Sequence, residues 1–483
     1  MFIRNPLTLD SNISPDPDRV LVDIADYVVN HTPRESAIDA ARLCLVDALA
    51  CALDALDHPE CTKLLGPMVA GTIVPNGACV PGTSYSLDPA TAAFDLGCMI
   101  RWLDYNDATS GTLTTHPSDS LAGILMVADH LSRQRVAARR EPYVVGDVLN
   151  AMVKAYEIQG ALGLLNDFRK FGIDQPLLTR VATTPVVTRL LGGTHDEVLN
   201  AVSNAFVETT LSAVRHAPNI GTRKNWATAD ASFTAVRLAY MAVKGEAGCR
   251  WVLSAKEVGF YDARCHGEPL KLAAPYADGV IQQVMFKLVP AGMHGQTAAE
   301  CAFRLHALVR DRIGDIERIT LRCHRTLMRI MDKRGPLRNA ADRDHCVQYI
   351  VAIGLLHGKI GPHDFEDEFA ADPRIDALRA KMDLTEDERY TKDFSDPSKR
   401  SSANAVQVFF NDGSSTEKME VEFPVGHPRR RAEALPMLKM KFDAALKRRF
   451  APQRCERIVA LCEDGARLEK TPVNEFVDML RMP

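Results

Sequence analysis

The sequence predicts a mainly α fold, a large helical domain with a smaller α+β lid domain inserted into it. Three observations carry this reading. Helix-start signals recur along the first 280 residues with almost no apolar–polar alternation between them; alternation appears only after Lys287; and the tail from 430 returns to helical periodicity. The expected division is 1–282 plus 428–483 for the main domain and 283–427 for the lid.

Each element has its own justification. Thr32-Pro33-Arg34-Glu35 offers a capping Thr, Pro at the first helical position and Glu at the third, and predicts a helix running to about Leu56. Ala37, Ala41, Cys44, Leu45, Ala48 and Cys51 recur along it at three- and four-residue steps, so one face is buried, and its small residues imply close packing. Asp88-Pro89 opens a second helix to about Leu103, and Thr194-His195-Asp196-Glu197 is a capping box before another. Further helices are expected over 117–133, 145–165, 177–191 and 223–244. Beyond Lys287, Ile316 to Cys323 alternates like a strand, and Ala405–Phe410, Asn411-Asp412-Gly413 and Lys418–Phe423 read as a hairpin. Helices are expected near 296–313, 343–357 and 430–450, and the polar stretch 361–402 is expected to be irregular.

Charge and composition remove several function classes. The 483 residues carry 58 Lys and Arg against 62 Asp and Glu, a formal net charge of −4, which lacks the basic excess that drives binding to nucleic acid. No run approaches the ~18 apolar residues of a membrane span, so no membrane partner is expected. The start MFIRNPLTLDSNISPDPDR lacks the pattern of a secretion signal and carries Asp10, Asp16 and Asp18 where a mitochondrial presequence is acid-poor, which makes the cytoplasm the expected location. The 12 cysteines are scattered singly without a Cys-x-x-Cys pair; local metal-ligand spacing is absent, and free buried thiols are expected.

Three stretches carry groups suited to chemistry. Arg101-Trp102-Leu103-Asp104-Tyr105-Asn106-Asp107, followed by ATSGTLTT and His116-Pro117-Ser118-Asp119, joins a helix end to a helix start. It brings Asp104, Asp107 and His116 together beside N–H groups that favour an anion, although the same residues are also common helix punctuation. Arg215-His216-Ala217-Pro218-Asn219 and Gly221-Thr222-Arg223-Lys224 set cationic side chains around a turn, an anion clamp or simply a solvated face. Phe286-Lys287-Leu288-Val289-Pro290-Ala291-Gly292-Met293-His294 places a lysine in an apolar run at the expected domain boundary, where clefts form; a structural ion pair for Lys287 and a capping role for His294 are the other readings.

These stretches resemble the MmgE/PrpD family from end to end. The resemblance rests on KLLGPMVAGTIVPNGACVPGT (63–83), RWLDYND (101–107), HPSDSLAGIL (116–125), RHAPNIGTRK (215–224), NAADRDHCVQYIVAI (339–353) and PVNEF (472–476). It implies a homodimer with an active site between main domain and lid, a small tricarboxylate as substrate, and hydro-lyase chemistry without cofactor, metal or iron–sulfur cluster. The implied reaction is dehydration of 2-methylcitrate or a longer-chain 2-alkylcitrate to the alkylated cis-aconitate. His116 is the implied proton-transfer group with Asp104 orienting it. Lys224 and Lys287 are implied to hold substrate carboxylates from opposite sides, and Arg215, His216, His294, Asp107, Thr109 and Arg101 to complete the binding set.

Two departures bear on specificity. Related cis-aconitate decarboxylases carry a catalytic Thr where this chain has Ala108, with Thr109 adjacent, and a further His whose position falls near Leu164, which disfavours decarboxylation to itaconate. Methylcitrate dehydratases of the family carry two tryptophans and an acid within the loop that here reads ATSGTLTT, so an enlarged pocket for a longer chain is expected, with a catalytically silent binding protein as the competing reading.

Overall fold

The structure is a computed structural model and describes residues 16–216, 220–396 and 398–482. Helix accounts for 57% and strand for 8% of it, so the chain is mainly α, as expected.

Two separate apolar cores organise the chain. The first is built by α1 (Arg19–Asn30), α2 (Glu35–Ala55), α3 (Pro89–Arg101), α4 (Leu121–Ala137), α5 (Val145–Leu165), α6 (Pro176–Leu190), α7 (His195–Ala205) and α8 (Arg223–Ala242). The second gathers α9 (Gln296–Val309), β1 (Ile316–Cys323), α10 (Val347–His357), β2 (Met382–Glu386), β3 (Asn404–Phe410) and β4 (Met419–Val421). The chain then returns: α11 (Arg431–Lys447) and α12 (Pro452–Glu463) bury Leu438, Phe442, Leu446 and Ile458 in the first core. Lys441 fixes that return, donating to Asp47 (2.7 Å) and to the Tyr105 carbonyl (2.9 Å).

Helix starts follow the local chemistry. Asp88 caps α3 by accepting from the Ala90 and Thr91 amides, with Pro89 at the first position. Thr194 and Glu197 form the expected capping box on α7. The expected Thr32 cap does not form. α2 starts at Glu35 with Arg34 as its N-cap, because Asp278 reaches in from far along the chain and accepts the Arg34 amide (2.9 Å) as well as its guanidinium. Gly97 lets α3 and α8 meet: a Cβ there would lie 2.9 Å from Ala229 Cα.

The four-stranded sheet has the order β2-β1-β3-β4, with β1 and β2 parallel and the other neighbours antiparallel. The stretch 361–402 corrects the sequence expectation. It contains two short helices (Asp367–Ala370, Pro373–Arg379), strand β2 and a third helix (Glu388–Ser395). β2 offers only Met382 and Leu384 to the core among charged neighbours, and its pairing comes from a crossover onto β1, which local alternation does not announce. All twelve cysteines are free, and ten are buried.

Candidate active site

α3 ends at Arg101, and the chain turns sharply at Asp104, whose φ of 48° lies in the left-handed region that Asp tolerates better than most side chains. The following loop leads into a 3-10 turn (Pro117–Ser120) and then α4. Asp107 clamps this crossing. Its carboxylate accepts from the Ser118 amide (3.2 Å), the Ser118 hydroxyl (2.7 Å) and the Tyr156 hydroxyl (2.8 Å). Its backbone carbonyl is 2.8 Å from His116 Nδ1. A carbonyl only accepts, so Nδ1 carries the proton and Nε2 keeps its lone pair. The Asp107 carbonyl, not Asp104, therefore orients His116, a correction to the sequence expectation. Burial, reinforced by the Arg101 and Lys287 charges, pushes His116 well below the ordinary imidazole pKa, so the ring is a neutral base.

Asp104 is instead the centre of a buried ion cluster. Arg101 Nη1 and Lys287 Nζ both reach its Oδ1, while Oδ2 lies 3.3 Å from His345 Nε2 and 3.7 Å from Lys224 Nζ. Lys224 in turn donates to both oxygens of Asp344 (2.6 and 2.7 Å) and lies 2.8 Å from His345 Nδ1. Burial alone would raise Asp104, but Arg101, Lys287, Lys224 and His345 hold its carboxyl well below the usual range. Burial lowers Lys287 to about 8, and the Arg101 and Lys224 charges push the same way. Lys224 and Lys287 thus stand behind the cavity wall, paired with the protein's own carboxylates, rather than meeting a substrate directly as expected. Arg101 is likewise fully buried beneath Asp104.

Beside this cluster lies a cavity of about 60 Å³, between the two cores. Asp104, His116, Arg169, Arg215, His294 and His345 supply its titratable side chains together with Asp174. Arg215 Nε pairs with Asp174 (2.7 Å), while its Nη2 is buried without a partner among the described residues. His294 Nδ1 is likewise buried without a partner among the described residues, and its ring packs against His324 and Phe394. An unpaired guanidinium nitrogen and a neutral imidazole on one cavity wall suit an anion that brings its own acceptors.

Of the residues singled out in the sequence, Asp104, His116, Arg215 and His294 meet at this wall. Asp107 positions His116 from behind. Thr109 is elsewhere: its hydroxyl pairs with Thr115 (2.6 Å), and it lines another cavity of about 540 Å³ with Ser110 and Leu164. The side chain of His216 lies outside the described residues. Sequence reasoning missed Asp344, His345, Arg169 and Asp174. The first two lie in NAADRDHCVQYIVAI, where an Asp-His pair just before an apolar helix was the available signal.

The loop 108–115 forms part of the wall of the site. Its Thr112 and Leu113 amides bond to the Leu164 and Gly163 carbonyls (3.1 and 2.9 Å), which turns Leu113 and Thr114 into the cavity wall. As for metals, Asp104, Asp344 and His345 are the one group among the described residues close enough to share an ion. Their donor atoms already face Lys224, Lys287 and Arg101, so an entering cation meets ammonium and guanidinium groups at hydrogen-bond distance, and the set does not fit a metal.

Comparison with known proteins agrees over nearly the whole length. The MmgE/PrpD N-terminal domain matches residues 22–273 and the MmgE/PrpD C-terminal domain residues 289–464. A 2-methylcitrate dehydratase of Cupriavidus necator is 52% identical over 96% of this chain and 97% of its own. That of Escherichia coli K12 is 49% identical over 97% and 98%. A 2-methylcitrate dehydratase-like protein, oryR, of Aspergillus oryzae is 38% identical over 97% of both. The chain belongs to the MmgE/PrpD family.

Proposed function

We propose that the chain is a hydro-lyase that removes water from 2-methylcitrate to give the methylated cis-aconitate. The observation that carries this is identity of about half to 2-methylcitrate dehydratases over nearly the full length of both partners. The cavity supports it chemically. His116, held neutral with Nε2 unprotonated, is suited to take the proton from the carbon beside a carboxylate. Arg215 and Arg169 are placed to receive substrate carboxylates, and the cations behind Asp104 make the wall electropositive as charge builds on the substrate. The step needs no redox group, since only a proton and a hydroxide leave.

The alkyl group is read from volume. A water needs about 10–15 Å³ by the same measure and occupies ~30 Å³ of liquid, so a 60 Å³ cavity has room for about four to six waters' worth of substrate. Methylcitrate itself has more heavy atoms than that, so the site must widen to admit it, and the smallest alkyl group demands the least widening. One observation favours the longer chain: the 540 Å³ cavity lies just across the loop 108–115, which a chain could enter if the loop moved. Incubating purified, metal-stripped protein with 2-methylcitrate, hexylcitrate and octylcitrate, followed at ~240 nm and by mass, decides. Methylcitrate is expected to turn over fastest; loss of water from none of them overturns the dehydratase reading, and released CO2 replaces it with decarboxylation.

A cytoplasmic homodimer belongs to the same proposal. Among the described residues no helix is long and apolar enough to cross a membrane, and Met68, Val69 and Ile73 stand exposed on one loop, an apolar patch of the kind that subunit association buries. Sedimentation of the purified protein tests the oligomeric state.

A further inference from the structure

The chain passes from the first core to the second near Phe286 and returns near Gly426. These two crossings are bonded together, the Phe286 amide donating to the Gly426 carbonyl (3.0 Å). Only glycine fits there, because a Cβ on residue 426 would collide with the Phe286 carbonyl. The cavity of about 540 Å³ lies beside this pair of crossings. Its titratable lining consists of Arg34 from the N-cap of α2, Glu157 from α5, Lys399 and Arg400 from the turn before β3, and His427 and Arg429 from the returning crossing.

Four permanent cations therefore share the cavity with one carboxylate, and that carboxylate is already engaged: Glu157 accepts the Ala277 and Val280 amides (3.0 Å each). Arg34 is paired with Asp278, and Lys399 with Asp393 and Glu422. The other two cations have no such counter-charge. Arg429 Nη2 donates to the Ser398 carbonyl (3.0 Å), and its guanidinium lies over the Phe423 ring. Arg400 forms no ion pair among the described residues, and its Nε is buried without a partner there. His427 Nδ1 accepts the Arg429 amide (3.2 Å), so the neutral ring carries its proton on Nε2 and adds a donor. Guanidinium groups without counter-charges call for an anion that brings its own acceptors, and such a lining suits no alkyl chain.

We propose that this cavity binds an anion carrying two or more phosphate groups, and that the bound anion holds the two units together beside the crossings. A phosphate presents several acceptor oxygens and a compact charge, which a guanidinium fork grips with two parallel hydrogen bonds. Two such groups match the two guanidiniums that lack counter-charges, Arg400 and Arg429. The ligand would touch α2 and α5 on the helical side and the turn 398–400 on the other, so it favours the placement of the units that brings all of them within reach. None of the groups assigned to the reaction lies in this cavity, so the anion binds whether or not the chain dehydrates 2-methylcitrate.

Titration calorimetry of the full chain with inorganic pyrophosphate, at fixed ionic strength so that screening is constant, tests the site. The unmodified protein is expected to bind pyrophosphate, and Arg400→Gln to bind it ~10-fold or more weakly, because the variant loses a charge-assisted hydrogen bond. R400Q should melt normally without ligand, since Arg400 supports no ion pair. Pyrophosphate should also slow amide exchange in 279–285 and 427–429 of the unmodified protein, and do so far less in R400Q. No binding by the unmodified protein, or equal binding by R400Q, overturns the site. Citrate that displaces pyrophosphate at equal concentration overturns the phosphate assignment, and binding that leaves exchange in both crossings unchanged overturns the bridging role. If R400Q melts early, Arg429→Gln is read by the same comparison.

Discussion

The two sides of the cavity are held in place by different forces. On the helical side, His116 is fixed by a backbone carbonyl and Arg215 by Asp174, so position comes from hydrogen bonds within one unit. On the other side, His345 and Asp344 are held by each other and by Lys224, a residue of α8 in the helical unit, and His294 Nδ1 and His324 Nε2 find no partner among the described residues. The first arrangement resists change in protonation; the second depends on it. The ion cluster around Asp104 is also where the two apolar cores are tied together by charge rather than by packing. Asp104→Ala breaks that tie most directly, leaving Arg101, Lys224 and Lys287 short of a buried counter-charge. We expect a loss of about 3–5 kcal/mol in urea denaturation, together with activity, because removing one partner of a buried set leaves the others uncompensated. A loss below ~1 kcal/mol would show that the units adhere through apolar contact and that the cluster serves chemistry alone.

His116→Ala is the converse case. Its ring makes one hydrogen bond to a carbonyl, so stability should change little, while turnover should fall ~100-fold or more. Near-normal turnover in a stable variant would remove His116 from proton transfer and leave Asp104 as the remaining candidate base on the helical side.

The same contrast explains what was legible in the sequence. Helix punctuation is local, so Asp88-Pro89 and the Thr194–Glu197 box were readable, and so was His116 beside its His-Pro-Ser turn. What failed was non-local. Asp278, 244 positions from Arg34, accepts the Arg34 amide and displaces the Thr32 cap of α2. β2 exists because β1 is there to pair with it. Lys287 was legible as a cation in an apolar run that needs a partner, whereas Lys224 read as part of an anion clamp or a solvated face; their carboxylate partners, Asp104 and Asp344, are met only through the fold. Asp344 and His345 were passed over because an Asp-His pair before an apolar helix looks like a cap until Lys224 is found beside it.

Acid should separate the two units. His324 and His345 are lowered by burial to about 4, and burial lowers His294 well below 6.5 as well. A buried histidine with a depressed pKa binds fewer protons folded than unfolded between that value and ~6.5, so its stability contribution is present above 6.5 and is lost as pH falls through the window. The helical unit holds His116, which behaves the same way, but also Asp95, which burial raises to about 8. Asp95 binds more protons folded than unfolded between ~4 and 8, so acidification through that range stabilises its surroundings. Amide hydrogen exchange at pH 5 against pH 7.5 is therefore expected to accelerate in α10 well before α3. Equal acceleration in both helices would mean that the units unfold as one.

The smallest effects test whether that cooperativity exists at neutral pH. Thr194→Ala removes the hydroxyl that accepts the Glu197 amide at the start of α7, and should cost about 1 kcal/mol. Gly413→Ala, at φ 82° in the turn between β3 and β4, should cost about 1–2 kcal/mol because a Cβ opposes the left-handed conformation. Neither residue is near the cavity, so kcat and KM should be unchanged. If the cores are coupled through the Asp104 cluster, each substitution lowers a single unfolding transition. If they are not, Thr194→Ala shifts only the helical unit and Gly413→Ala only the sheet, and the denaturation curve splits in two. A split would show that the ion cluster positions the catalytic groups without binding the two cores into one cooperative unit.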